Sequence, residues 1–222
     1  MRIALCGGTG DIGEGLALRW TYDTGHDLII GSRDPEKART KAEEYGTELE
    51  SRGTETTIKG FENAMAADRA DVVVLAVPPY HIRDTVEAIA DRLDSDTVLV
   101  SPAVGMKRDD AGLHYNRPSA GSVTEMVAEV APDGVPVVGA FHSLSAGKLA
   151  NLDIELDEDT LLVGDDEDAL DIVHLLAEGI CGLRSLSAGS LENAAEVESL
   201  TPLLINLASH NDDLHGVGVT FE

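Results

Sequence analysis

Ile3-Ala4-Leu5-Cys6-Gly7-Gly8-Thr9-Gly10-Asp11-Ile12-Gly13 is the stretch that decides the fold. Four apolar residues in a row read as a strand covered on both faces, the kind found inside a parallel sheet. Gly8-x-Gly10-x-x-Gly13 follows at once and opens a helix, so Gly8 is read as a tight turn, Gly10 as a close approach of backbone to a pyrophosphate, and Gly13 as close helix packing. The helix start adds N–H groups and partial positive charge for phosphates. Outward from this loop, apolar runs alternate with helical stretches, which predicts strands at 2–6, 27–30, 56–59, 71–77, 97–101 and 135–140, with helices over 12–24 and 34–45. Residues 142–158 are irregular on this reading. A further strand, helix and strand are expected over 160–163, 167–179 and 183–186, then a helix over 191–210. The expected fold is an α/β Rossmann-type doubly wound, mostly parallel sheet, with a dinucleotide-binding domain at 1–141 and a small C-terminal α/β extension at 142–222.

The end of the second strand chooses the dinucleotide. NAD-binding proteins commonly place Asp or Glu about 20 residues beyond the glycine loop, against the adenosine ribose. Here that place carries Gly31-Ser32-Arg33, and Lys37, Arg39 and Lys41 follow, so four of the 16 cations fall at 33–41. A guanidinium that can grip a 2'-phosphate bidentately stands where a carboxylate would repel it. Asp34-Pro35 is a helix start, although Asp34 is also within reach of a ribose. NADP(H) is the expected ligand, with Ser32, Arg33 and Lys37 at its 2'-phosphate.

Composition narrows the partners. Forty-one Asp and Glu against 16 Lys and Arg give a formal net charge of -25, which opposes nucleic acid in the absence of a basic stripe. The scattered acids suit a hydrated shell adapted to high internal salt, so a halophilic source is expected. Cys6 and Cys181 form no CxxC pair, and no secretory leader or long apolar run is evident. The expected setting is cytoplasmic, with no membrane partner. No Tyr-x-x-x-Lys, GxSxG, HExxH or dense cysteine–histidine cluster occurs, so no nucleophile and no metal site are expected.

With these residues in view, the chain resembles the NADPH-dependent reductases of coenzyme F420, an 8-hydroxy-5-deazaflavin. The resemblance rests on Gly7 to Arg19, on Gly31-Ser32-Arg33 with Glu36-Lys37-Ala38, and on Ser101-Pro102. It continues in Ala150-Asn151-Leu152-Asp153, Gly164-Asp165-Asp166 and Val197-Glu198-Ser199-Leu200-Thr201-Pro202-Leu203. It implies reversible hydride transfer between nicotinamide C4 and deazaflavin C5, in a homodimer. It also implies that Thr9, Gly10, Asp11 and Ile12 hold the pyrophosphate, that Val77-Pro78 pass near the adenosine or ribose, and that His142 and Leu144 line the hydride-transfer pocket. His81, four residues after Val77, is a further candidate for the cofactor side.

Two other functions stay open on the sequence. Lys148-x-x-Asn151 suits an NADPH-dependent imine or 2-hydroxy acid reductase, in which such a pair would protonate and anchor substrate oxygen. A protein that senses NADPH without turnover would need only the glycine loop and the cations.

Overall fold

The computed structural model describes the whole chain, Met1–Glu222. β1 (Arg2–Cys6) runs through the glycine loop into α1 (Asp11–Arg19), which ends in a turn of π-helix over Trp20–Thr24. β2 (Asp27–Ser32), α2 (Pro35–Ser51), β3 (Lys59–Glu62), α3 (Asn63–Ala67) and β4 (Val72–Leu75) follow. Next come α4 (Ile82–Ile89), β5 (Val98–Ser101), a hairpin of β6 (Met106–Asp109) and β7 (Gly112–Tyr115), α5 (Val123–Val130) and β8 (Val137–Gly139). α6 (Ala146–Ala150), β9 (Glu158–Gly164), α7 (Glu167–Glu178), β10 (Leu183–Ser187) and α8 (Ala194–His210) complete the chain.

Eight strands form one sheet in the order β10-β9-β8-β5-β4-β1-β2-β3, parallel throughout except between β8 and β9. The doubly wound, mostly parallel architecture expected from the glycine loop is therefore present. Period-two alternation splits each strand between two cores. Ile3, Leu5, Val72 and Val74 face α1, α2 and α7, while Ala4, Cys6, Val73 and Leu75 face α3, α4 and α5. β9 and β10 extend this same sheet, and Leu176 and Leu183 share a core with Ile3 and Trp20. Trp20 is anchored there by Nε1 donating to the Leu176 carbonyl at 2.8 Å.

Three expectations are corrected. The third strand is Lys59–Glu62, not 56–59, because β2 pairs Ile29 with Lys59 and Gly60 lies flat against the Ala38 backbone of α2. The β-branched Thr56-Thr57-Ile58 stretch has strand propensity but precedes the residues that pair with β2. α2 does not stop near Tyr45 but runs to Ser51, since Ala38, Ala42, Tyr45 and Leu49 keep one buried face through Gly46. The interval 142–158 is not wholly irregular: Ser145 caps α6, its side chain accepting from the Lys148 amide.

Candidate active site

The winding direction reverses between β1 and β4, where ligands of such sheets bind beyond the carboxyl ends of the strands. The glycine loop occupies that point. Gly7, not Gly8, makes the left-handed turn, with φ 77°, and Val77 packs so close over it that no Cβ fits. Gly8 is constrained by space, because a Cβ there would lie 2.7 Å from that of Leu5. Gly13 packs on the loop itself, where an added Cβ would meet Gly8 Cα at 2.5 Å. Gly10 is open, its nearest such neighbour being the Gly7 carbonyl at 3.7 Å. It begins α1 without a side-chain cap, so the amides of the first turn keep their hydrogen-bonding capacity for an anion.

A cleft of 830 Å³ opens from this point. Gly10, Asp11 and Ile12 form one wall, Val77 and Pro78 a second, and His142 and Leu144 a third. Thr9 stands in the loop outside the lining, and His81 ends the short helix Pro79–His81 with its ring against Tyr80, also outside it. The remaining walls were not anticipated: Pro102 and Val104 beyond β5, Leu204, Ile205 and Ala208 on α8, and Gly216 in the tail. Their signal lay in the 204, 205, 208 spacing, which puts three apolar residues on one helix face.

His142 reaches the cleft by a strained route. Phe141 holds φ 64°, a costly value for a residue with a large side chain. Its amide donates to Thr160 Oγ1 at 2.9 Å and its ring stacks edge-on against Trp20 at 5.6 Å, so Phe141 turns into the core and His142 follows onto the cleft. Nε2 of His142 lies 3.4 Å from Thr124 Oγ1, and Nδ1 is buried without a partner. Burial pulls its pKa down to about 4, so the imidazole is neutral at neutral pH. Unfolding restores a pKa of 6.5. The unfolded chain therefore binds the extra proton first, and stability falls as pH drops from 6.5 toward 4 while staying level above 6.5. Denaturant titrations at pH 7 and pH 4 should show the wild type losing about 3 kcal/mol more than His142→Gln over that window. Parallel losses would contradict this.

The cation cluster divides. Arg39 is paired with Glu36, and Lys41 with Glu44 at 2.6 Å and Glu14 at 4.0 Å. Arg33 and Lys37 are exposed and form no ion pair. Asp34 is engaged as the α2 cap, accepting from Glu36 and Lys37 amides at 3.0 and 3.4 Å, and Ser32 Oγ accepts from the Asp34 amide at 3.1 Å. Because Cys6 pairs with Gly31, Ser32 and Arg33 leave the sheet beside the glycine loop, away from the cleft lining.

Residues 2–105 match the family described as NADP oxidoreductase coenzyme F420-dependent. The F420-dependent NADP reductase of Methanothermobacter thermautotrophicus is 41% identical over 214 residues, covering 95% of this chain and 90% of that one. This chain belongs to the F420-dependent NADP reductase family. The F420-dependent NADP reductase of Methanocaldococcus jannaschii is 39% identical over 212 residues, with 93% and 92% covered. A crystal structure from Arthrobacter sp. fb24 has the same fold, with a TM-score of 0.79 at 22% identity over 100% of this chain and 99% of that one. The uncapped α1 start and His142, whose Nδ1 is buried without a partner, stand on the same cleft.

Proposed function

We propose that the chain moves a hydride reversibly between NADPH or NADP+ and coenzyme F420. The observation that carries this is the cleft itself, where an uncapped helix start and apolar walls from β4, β5 and α8 converge. When bound, the two cofactors supply the redox chemistry, between nicotinamide C4 and deazaflavin C5. The protein's task is to stack two flat rings, hold their distance and exclude water. Thr9, Gly10, Asp11 and Ile12 with the α1 amides hold the pyrophosphate, Gly8 and Gly13 keep that loop flat, and Ser32, Arg33 and Lys37 take the 2'-phosphate. Val77 and Pro78, with His81 beyond them, border the ribose side, while His142 and Leu144 line the ring pocket. On this reading residues 1–141 bind the dinucleotide and 142–222 close the F420 side. Mixing the protein with NADPH and oxidised F420 at high salt should bleach the deazaflavin absorbance catalytically; NADPH binding without bleaching would support a sensor instead.

The imine or hydroxy acid reductase alternative relied on Lys148 and Asn151. Lys148 Nζ is held by buried Glu158 at 2.5 Å, and Asn151 Oδ1 accepts from the Asp153 amide at 3.1 Å. Neither residue lines the cleft, so the pair is in no position to protonate a substrate there.

The homodimer and the saline cytoplasm belong to the same proposal. Leu203 and Leu207, one turn apart on α8, are 54% and 41% exposed, an apolar strip that a second copy would cover. Leu203→Glu with Leu207→Glu should halve the mass seen by light scattering, and an unchanged mass would remove the strip from the interface. No helix is long and apolar enough to cross a membrane. With a net charge of -25, dialysis from molar salt to about 10 mM lengthens the screening distance from about 3 to about 30 Å. Circular dichroism should then report loss of the fold, and a fold indifferent to salt would refute the halophilic reading.

A further inference from the structure

A carboxylate on α8 sits behind the cleft with nothing to do in binding. Glu198 is fully buried and is approached only by donors. Oε1 accepts from the Thr124 amide at 2.9 Å and the Thr124 hydroxyl at 3.0 Å. Oε2 accepts from the Val123 amide at 3.0 Å and the Tyr115 hydroxyl at 2.9 Å. Burial holds the Glu198 pKa above the ordinary carboxylate value, and the four donors oppose that rise; two of them are amides of the first turn of α5, which favours an anion. The Thr124 hydroxyl has one proton, and it is committed to Glu198. Toward His142 that oxygen can only accept.

We propose that Glu198, acting through Thr124, fixes His142 as its Nε2–H tautomer, so that Nδ1 stands as a bare hydrogen-bond acceptor for an N–H donor on a ring bound in the cleft. The acceptor is otherwise unexplained, because Nδ1 is buried and unpartnered while His142 lines the cleft. A buried lone pair left unmatched is unfavourable, and a ligand N–H would satisfy it. Both the nicotinamide carboxamide and the deazaflavin pyrimidine ring offer such a group. Glu198 and Thr124 are thus positioning residues that select ring orientation without touching a ligand. This rests on the function proposed above only for the identity of the ligands, since the tautomer is a property of the unliganded chain.

The test is nitrogen NMR of the full chain carrying ¹⁵N-histidine, at neutral pH and high salt, with His142→Gln identifying the resonances. His142 should show a bare Nδ1 and a protonated Nε2. A protonated Nδ1 would overturn the proposal. Thr124→Val keeps the volume and both amide contacts to Glu198 but removes the hydroxyl, and should leave both tautomers populated, whereas Thr124→Ser should restore one. A single wild-type tautomer in Thr124→Val would show that the Glu198–Thr124 link does not set it. NADP+ and F420 are then added separately. The one whose N–H pairs with Nδ1 should shift that resonance and should bind Thr124→Val about 3- to 10-fold more weakly, the range of one net hydrogen bond. If both ligands bind and neither moves Nδ1, the acceptor role is refuted; if F420 fails to bind at all, the catalytic reading fails while the tautomer result stands.

Discussion

Arg19→Ala is expected to lower folding stability by about 3–5 kcal/mol, the range for breaking a buried charged network by removing one partner. Arg19 is 1% exposed, and its guanidinium donates to four backbone carbonyls. Nε reaches the Leu149 carbonyl at 2.9 Å, and Nη2 reaches those of Lys148, Asn151 and Ile154 at 3.1, 2.6 and 2.9 Å. Two of these lie at the end of α6, where the Lys148 carbonyl also accepts from the Asn151 amide at 3.2 Å and a cation opposes the negative end of the helix. Truncation leaves those carbonyls that have no second donor orphaned, each costing about 1–3 kcal/mol before water enters the void. Arg19→Lys should recover only part of the loss, because one ammonium cannot span carbonyls that a planar fork reaches. Thermal unfolding at fixed salt checks this, with an expected drop of roughly 6–20 °C for a chain of this length. The effect bears on function because the segment Arg19 ties down continues directly from His142 and Leu144. A midpoint within a degree of wild type would show that these bonds do not hold the cleft wall.

Arg33→Ala with Lys37→Ala should be the most damaging change to cofactor choice. A hydrogen bond to a charged group contributes about 1.5–3 kcal/mol, so losing two should weaken NADP+ binding by roughly 10²- to 10⁴-fold. NAD+ lacks the phosphate, and its affinity should change only a few-fold. The two side chains suit the role because their neighbours Arg39 and Lys41 are already neutralised and Asp34 is occupied as a cap. On a surface with a net charge of -25, a local pair of free cations also has to overcome an opposing long-range field, so the loss should grow as salt is lowered. Equal losses for both dinucleotides, measured by calorimetry, would mean that the cations act on fold or charge and not on the 2'-phosphate.

Much of this was legible in the residues. Contiguous apolar strands and the glycine spacing carry the sheet and its switch point because both depend on local sequence. The close packing of Gly13 is legible for the same reason, being set by a loop close by in the chain. What escaped depends on distant contacts. The spacing points to Gly8 as the turn, yet Gly7 takes the left-handed conformation, and what excludes a side chain there is Val77 some 70 residues on. The β6–β7 hairpin carries no alternating pattern, being exposed along β6 and half-buried along β7, and Met106 enters the cleft lining only through that fold. Glu198 could be quoted as part of a motif, but its partners come from β7 and α5, and no spacing along the chain reveals them.

The central claim is direct transfer of a hydride between the two rings inside the cleft. It is tested most directly by following deuterium from NADPH labelled at nicotinamide C4, one face at a time, into reduced F420 by mass spectrometry. One of the two labelled forms should deliver its deuterium to deazaflavin C5 with no exchange into water. Reduced F420 that carries no label from either form, or label that appears in solvent, would contradict the account.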